Sequence, residues 1–297
     1  MIRVEIGKTL TLEILRLTDI GAYVGYKEMD PDFAILLPKK QVPEDAKIGS
    51  EIRVFTYKDS EDRPIATVNK PYVEVGEFAY LTVKSATKIG AFLDWGLERD
   101  LFAPFKEQEE PLKAGDQVLV YVYLDKSNRL AATTRVYDYL SAAEKDVFKK
   151  NDTVNGVVYR TEKSFGAFVA IAAKDEEIAG GKAYEKMVFG LIPASQVFER
   201  YHVGDRITGR VVRVREDGKI DIDSRKRDFE QLDIDGEKIL EKIREYGGEL
   251  PFSDKASPEI IKREMKMSKS EFKKALGHLY KERKVLIKAN SVILSEH

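Results

Sequence analysis

Cysteine is absent from this chain, which excludes a disulfide framework, thiol catalysis and cysteine-based metal sites. Histidine is scarce. His202, His278 and His297 are the whole supply, and they speak against a histidine metal cluster. No apolar run approaches the roughly 20 residues that a membrane-spanning helix needs. The opening MIRVEIGKTLTLEIL alternates charged and apolar residues and has no signal-peptide core. Neither sign of charge dominates: 50 Lys and Arg stand against 51 Asp and Glu, for a formal net charge of -1. A globally basic nucleic-acid binder is thereby excluded, and any such function must rest on local patches. Phosphate-binding loops, dinucleotide fingerprints, Gly-x-Ser-x-Gly and His-Glu-x-x-His are all missing. The expectation is a soluble cytoplasmic protein that is not an enzyme and uses no metal, cofactor or membrane partner.

What the chain does have is enough apolar residues for packed cores, at 43%, and a heavily charged surface, at 34%. It also has a repeat. TLTLEILRLTDIGAYVG (Thr9–Gly25), GEFAYLTVKSATKIGAFLDW (Gly76–Trp95) and DTVNGVVYRTEKSFGAFVAI (Asp152–Ile171) each run from an alternating strand through a polar turn to Gly-Ala-aromatic. An apolar run then meets proline in AILLPKKQV (Ala34–Val42), RDLFAPF (Arg99–Phe105) and FGLIPASQV (Phe189–Val197). A Gly turn leads to a Val-rich strand in IGSEIRVFTY, AGDQVLVYVYL and VGDRITGRVVRV, and a last short strand closes each unit. Five strands at this spacing describe a five-stranded Greek-key barrel of the OB type, three in tandem. Gly21, Gly90 and Gly166 hold matching places. The boundaries read as 1–70, 71–145 and 146–229, with a charged insert at 173–187 expected to be a loop between strands.

Beyond about Leu232 the apolar period changes from 2 to 3.6. A helix is expected over Asp235–Tyr246, with Ile239, Leu240 and Ile243 on one face. Ser257-Pro258 opens a second helix, and the capping box Ser268-x-x-Glu271 opens a third with Phe272 and Leu276 on its apolar stripe. VLIKANSVIL (Val285–Leu294) reads as a hairpin turning at Asn290-Ser291. Residues 230–297 therefore form a winged helix-turn-helix, and the fold class is mainly β with an α-helical C-terminal part.

The units resemble S1-type RNA-binding domains. SFGAFVAI, GLIPAS and VGDRITGRVVRV in the third are the closest counterparts. Three such units followed by a winged helix resemble the conserved virulence factor B family (YitL-like proteins) along essentially the whole chain. The resemblance implies RNA binding and post-transcriptional regulation of gene expression. It also shows departures. The S1 pattern places a histidine after the third strand, where the third unit has Pro193 and the other two units have none. An aromatic stands before the repeat glycine only in the third unit, as Phe165, with Ile20 and Ile89 in its place elsewhere.

Single-stranded RNA is held by aromatic platforms and by cations along its backbone. The platform candidates are Tyr23, Phe92 with Trp95, and Phe165 with Phe168. In strict alternation 165 and 168 point to opposite faces, so one belongs to the core unless a bulge or kink at Gly166 turns both outward. Trp95 reads as packing against its barrel rather than stacking on RNA. The resemblance supplies Arg63, Arg129 and Lys219 as basic partners at the start of each last strand, with Lys163 and Arg215 added at the third site. Asp221 and Asp223 alternate along the last strand and are expected on its exposed face. Between Asp254 and Asn290 the chain holds 11 Lys and Arg against 5 Asp and Glu. Lys269, Lys273, Lys274, Lys281, Arg283, Lys284 and Lys288 form the candidate patch there, beside Lys262, Arg263 and Lys266, for RNA, DNA, the ribosome or a protein. The leading partner is single-stranded RNA held through several weak barrels in series. The competing reading is a protein-interaction scaffold whose barrels have lost their RNA contacts.

Overall fold

A computed structural model of the protein describes residues 3–196, 200–224 and 228–295, the side chains of 196 and 228–233 excepted. Val197 and His297 lie outside these residues. The chain divides into two compact units, Met1–Asp223 and Ser224–His297.

The first unit contains three closed five-stranded barrels of one topology. The first uses β1 (Thr9–Thr18), β2 (Gly21–Gly25), β3 (Ile35–Pro38), β4 (Glu51–Lys58) and β5 (Pro64–Thr67), in the order β1-β2-β3-β5-β4. The second repeats this order with β6 (Phe78–Ala86), β7 (Gly90–Asp94), β8 (Leu101–Pro104), β9 (Gln117–Leu124) and β10 (Leu130–Thr133). The third uses β11 (Thr153–Glu162), β12 (Gly166–Ile171), β14 (Val188–Pro193), β15 (Arg206–Val214) and β16 (Ile220–Asp223), with β13 (Ala183–Tyr184) inside its insert. Alternation decides what each barrel encloses. Ala167, Val169 and Ile171 of β12 face inward to meet Ile192, Val211, Ile220 and Ile222. In the first barrel Leu12, Ile14, Ala22, Val24, Leu37 and Val54 do the same.

The barrels are fused by apolar contacts. Phe55 of β4 is buried in the core of the second barrel, edge-on to Trp95 at 5.7 Å between centroids. A separate cluster joins the second barrel to the third, with Phe78, Tyr80 and Leu119 on one side and Val157, Tyr159, Ala170 and Met187 on the other. Each large side chain buried there contributes about 1.5–3 kcal/mol. The Tyr80 hydroxyl donates to the Gly204 carbonyl at 2.7 Å across this junction. The insert at 173–187 is more than the loop expected of it. Its strand β13 pairs antiparallel with β6 of the preceding barrel, Ala183 opposite Ala79 and Tyr184 opposite Phe78. Its charge hid this role, because the apolar signal is confined to Ile178, Tyr184 and Met187, all buried.

The second unit is a winged helix: α1 (Asp228–Glu245), β17 (Glu249–Leu250), α2 (Pro258–Met265), α3 (Lys269–Lys281), β18 (Val285–Ile287) and β19 (Val292–Leu294). The strands form a small sheet in the order β17-β19-β18. α1 begins seven residues before the expected Asp235, because Asp228 and Asp233, of low helix propensity, mask its first turns. Gly236 has a packing reason: a Cβ there would lie 3.2 Å from Leu279 of α3. Ile239, Ile243, Ile261, Phe272, Leu276 and Val285 make the core. Both helix starts are capped. Ser257 accepts from the Ile260 amide, and Ser268 and Glu271 cap each other's backbone at 3.2 and 2.8 Å.

Candidate nucleic-acid interface

One geometry recurs at the turn between the first two strands of each barrel. Gly21, Gly90 and Gly166 have positive φ, and a Cβ at these places would lie 2.1, 2.4 and 2.0 Å from the carbonyl oxygens of Leu37, Ala103 and Ile192. The residue before each glycine is held by its carbonyl, which accepts from the amides of Lys39, Phe105 and Ala194 at 3.0, 2.9 and 2.9 Å. Its side chain is thereby turned out to solvent: Ile20 is 60%, Ile89 69% and Phe165 58% exposed. Three large apolar side chains kept in water at one repeat position are poor packing and good contact surface.

Phe168 also faces outward, by plain alternation with inward Ala167 and Val169. It is half-buried, with one edge against the cluster between the second and third barrels. The bulge lies in the neighbouring strand rather than at Gly166. The register slips between Ile14 and Arg16, between Val83 and Ser85, and between Val158 and Arg160. Each slip sets Arg16, Ser85 or Arg160 directly opposite Tyr23, Phe92 or Phe168. The guanidinium of Arg16 lies 4.2 Å from the Tyr23 ring centre and that of Arg160 lies 5.7 Å from Phe168, within cation–π range. In the second barrel the partner is Ser85, and Phe92 packs against Phe102 instead, at 5.2 Å. Strict alternation does not point to Arg16 and Arg160, because a bulge shifts the phase by one residue.

The basic residues of the last strands follow three matching hairpin turns. Asp62, Asn128 and Gly218 take the left-handed conformation, and the amides of Asp59, Asp125 and Arg215 donate to the carbonyls of Arg63, Arg129 and Lys219. Their charges are largely answered within the protein. Arg63 pairs with Asp59 at 2.8 Å and Glu61 at 3.1 Å. Arg129 pairs with Asp62 of the first barrel. Lys219 lies 3.6 Å from Asp217 and 5.5 Å from the centre of the Phe189 ring. Lys163 is exposed and makes no ion pair among the described residues; with Arg200 and Tyr201 it lines a cavity of about 420 Å³ beside Gly166.

Asp221 and Asp223 do not form the exposed face expected of them. They are buried, at 4% and 3%. Both point out of the barrel but are roofed by arginines of β15 and the turn that follows it. Arg215 donates through Nε to Asp221 at 2.9 Å, Arg213 holds the other oxygen, and Arg210 lies 3.7 Å from Asp223. Burial pushes the Asp221 carboxyl up, but the hydrogen bonds from Arg215 and Arg213 outweigh it and hold the group below the usual carboxylate range. Trp95 is buried at 3% and its indole nitrogen donates to the Arg99 carbonyl, so it offers no stacking face. Phe92 and Phe102 instead line a cleft of about 420 Å³, together with Tyr57 and Lys58 of the first barrel and Arg99 and Arg129.

On the winged helix, Lys273, Lys274 and Lys281 of α3 are exposed and make no ion pair among the described residues, while Lys269 is half-buried at its start. Arg283, Lys262 and Lys266 are exposed likewise. Arg263 pairs with Glu264 at 2.8 Å, Lys284 with Glu282 at 2.9 Å and Lys288 with Glu249 at 3.7 Å. Leu286 and Ile287 stand exposed on the wing. Among the described residues no group of three or more His, Asp or Glu is placed to hold a metal ion, and no helix is long and apolar enough to cross a membrane.

Family models match both parts of this architecture. The S1 domain model matches residues 6–69 and 75–135, and the CvfB-like winged helix domain model matches residues 237–294. YitL of Bacillus subtilis strain 168 is 32% identical over 287 residues, 94% of this chain and 90% of that one. The chain belongs to the conserved virulence factor B family. The conserved virulence factor B of Staphylococcus epidermidis strain ATCC 12228 is 30% identical over 276 residues, 89% of this chain and 87% of its own length. A crystal structure of a multidomain protein with nucleic acid binding domains from Streptococcus pneumoniae TIGR4 aligns over 97% of this chain and 98% of that one, with 24% identity and a TM-score of 0.47. S1 and winged-helix domains are nucleic-acid-binding folds, and this member of the family carries three barrels of the S1 topology and one winged helix.

Proposed function

We propose that this protein binds single-stranded RNA in the cytoplasm and regulates gene expression after transcription, without chemistry of its own. The observation that carries this reading is the outer wall of the third barrel. Phe165 and Phe168 both face out of it, Arg160 lies over Phe168, and Lys219 lies over Phe189. Rings stack on unpaired bases whatever their identity, and the cations meet the phosphates by exchanging their ion pairs, Arg160 with Glu162 and Glu109 and Lys219 with Asp217. Lys163 adds a cation at the turn beside Phe165, and Arg215 and Arg213 bring a net positive charge over Asp221. Tyr23 with Arg16 and Arg63, and Phe92 with Arg129, offer smaller versions of the same contact. They suit a chain that gains affinity by presenting several modest sites at once. The lysines of α3 form a second contact, electrostatic and indifferent to sequence, for RNA, DNA or the ribosome. A protein-interaction role is favoured by the exposed Leu286 and Ile287 of the wing, and by Ile20 and Ile89 where the third barrel has Phe165.

The test is titration of a labelled single-stranded RNA with the intact chain and with Phe168→Ala, at two salt concentrations. The native chain is expected to bind more weakly at higher salt, and Phe168→Ala to weaken binding about 5- to 140-fold, the value of one stacked base. An intact chain that does not bind RNA even at low salt overturns the proposal.

A further inference from the structure

We infer that the RNA site is not confined to one barrel: the segment joining the second barrel to the third lends it Tyr137 as a further stacking platform. This rests on the reading that the outer wall of the third barrel holds single-stranded RNA.

The segment is a 3-10 helix, Val136–Tyr139, with no counterpart among the repeat elements. It is pinned at both ends. Val136 and Leu140 are buried in the apolar cluster between the barrels. Immediately afterwards Ser141 runs beside β14, its amide donating to the Met187 carbonyl at 3.0 Å and its carbonyl accepting from the Phe189 amide at 3.1 Å. Tyr137 therefore stands on a fixed piece of backbone, and its ring is tilted 55° to that of Phe189 with 5.0 Å between centroids. Yet 47% of it remains in water. Tyr139 on the same segment stacks nearly flat on Tyr121, at 3.8 Å and 17°.

The register of the third barrel shows what Tyr137 extends. Phe168 lies opposite Leu191, and Phe189 lies opposite Ala170, one row further along the same outer face. Rows on one face are about 6.4–6.8 Å apart along a strand. Phe168, Phe189 and Tyr137 thus form a strip that begins on the barrel wall and ends on the junction, with Lys219 beside its middle ring. A strand with its bases splayed can set successive bases on successive rings, its phosphates passing the lysine. A tyrosine needed only for packing would be expected to bury its ring as Tyr159 does. Tyr137 instead leaves nearly half of itself in water, next to an aromatic ring that Lys219 overlies.

The experiment uses the full chain and a fluorescein-labelled oligouridylate of about 16 nucleotides, the upper site size of one such barrel. Tyr137→Ala is expected to weaken binding about 5-fold or more. Tyr137→Phe, which keeps the ring, should bind like the native chain, and so should Asp138→Ala, an exposed neighbour. Substituting 5-bromouridine in the RNA and irradiating the unaltered protein should give a crosslink at residue 137, which keeps the test decisive if Tyr137→Ala folds poorly. If Phe168→Ala weakens binding while Tyr137→Ala does not, or if no crosslink reaches residue 137, the inference falls and the RNA-binding reading stands. Equal losses in Tyr137→Ala and Tyr137→Phe would assign the effect to the hydroxyl and overturn the stacking role. No binding by the native chain overturns both.

Discussion

Replacing Gly166 by alanine isolates the device on which the third barrel's outer wall depends. Gly166 has φ +115°, where any L side chain is strained; that term alone costs about 1–2 kcal/mol. The added Cβ would also lie 2.0 Å from the Ile192 carbonyl oxygen and 2.7 Å from the Ala194 amide, both backbone atoms that cannot swing aside. Relief requires β12 to part from β14 near Pro193, breaking the 2.9 Å bond from Ala194 to the Phe165 carbonyl. Ala194 is exposed, so its freed amide can turn to water and the broken bond costs about 1 kcal/mol. The sum is about 2–3 kcal/mol before any displacement of the strands, a sizeable part of a domain's total stability. Gly115 is the control: its φ is +92°, but nothing lies within 4 Å of its Cβ position, so Gly115→Ala should carry only the conformational term. Urea melts followed by circular dichroism give the two costs. Amide hydrogen exchange then shows whether the loss is local to β12 and β14. Because Phe165 is aimed by the same hydrogen bond, RNA affinity should fall with stability in Gly166→Ala and stay unchanged in Gly115→Ala. A Gly166→Ala protein no less stable than Gly115→Ala would refute the steric argument.

Three more outcomes follow from the same structure. Asp221 has a lowered pKa in the folded state, so it stabilises the fold above its unfolded value of about 3.9, and that contribution disappears as pH falls through the folded value; Asp221→Asn should therefore show a shallower decline of stability below about pH 4, measured by urea melts across pH. Ser268→Ala removes one half of the capping box of α3 and should cost the winged helix about 0.5–2 kcal/mol in a thermal melt. Substituting Lys273 and Lys274 together by glutamine should lower the salt slope of single-stranded RNA binding by about 1.4, or about 0.7 for each phosphate no longer neutralised; an unchanged slope would remove α3 from the interface.

The barrels were legible in the sequence because each repeat carries the same three signals: alternation, a glycine that nothing else can replace, and a proline closing the third strand. The winged helix was legible through Ser257-Pro258 and Ser268-x-x-Glu271, local chemistry that specifies helix starts without tertiary help. Phe165 and Phe168 could be named but not oriented, since a two-residue period says nothing about a residue held in a turn. What stayed hidden depends on contacts between repeats or on irregular strands. Arg160 reaches Phe168 only through the bulge, Phe55 reaches Trp95 from another barrel, and Asp221 is covered by Arg213 and Arg215 folding over it, whereas the packing of Trp95 against its own barrel was legible. Tyr137 carried no signal, because VYDY lies between two repeats and matches neither.

The pairing of β13 with β6 has a consequence for how the chain is made. β7 covers β6 only from Thr82 to Ala86, so the stretch at Phe78 and Ala79 keeps an open edge until β13 arrives about a hundred residues later. At synthesis rates of about 5–20 residues per second, a nascent chain would carry that bare edge for about 5–20 seconds. Unpaired edges recruit other strands. That edge of the second barrel is therefore covered only once the insert of the third has emerged, and a chain cut short before it would be left with an adhesive seam.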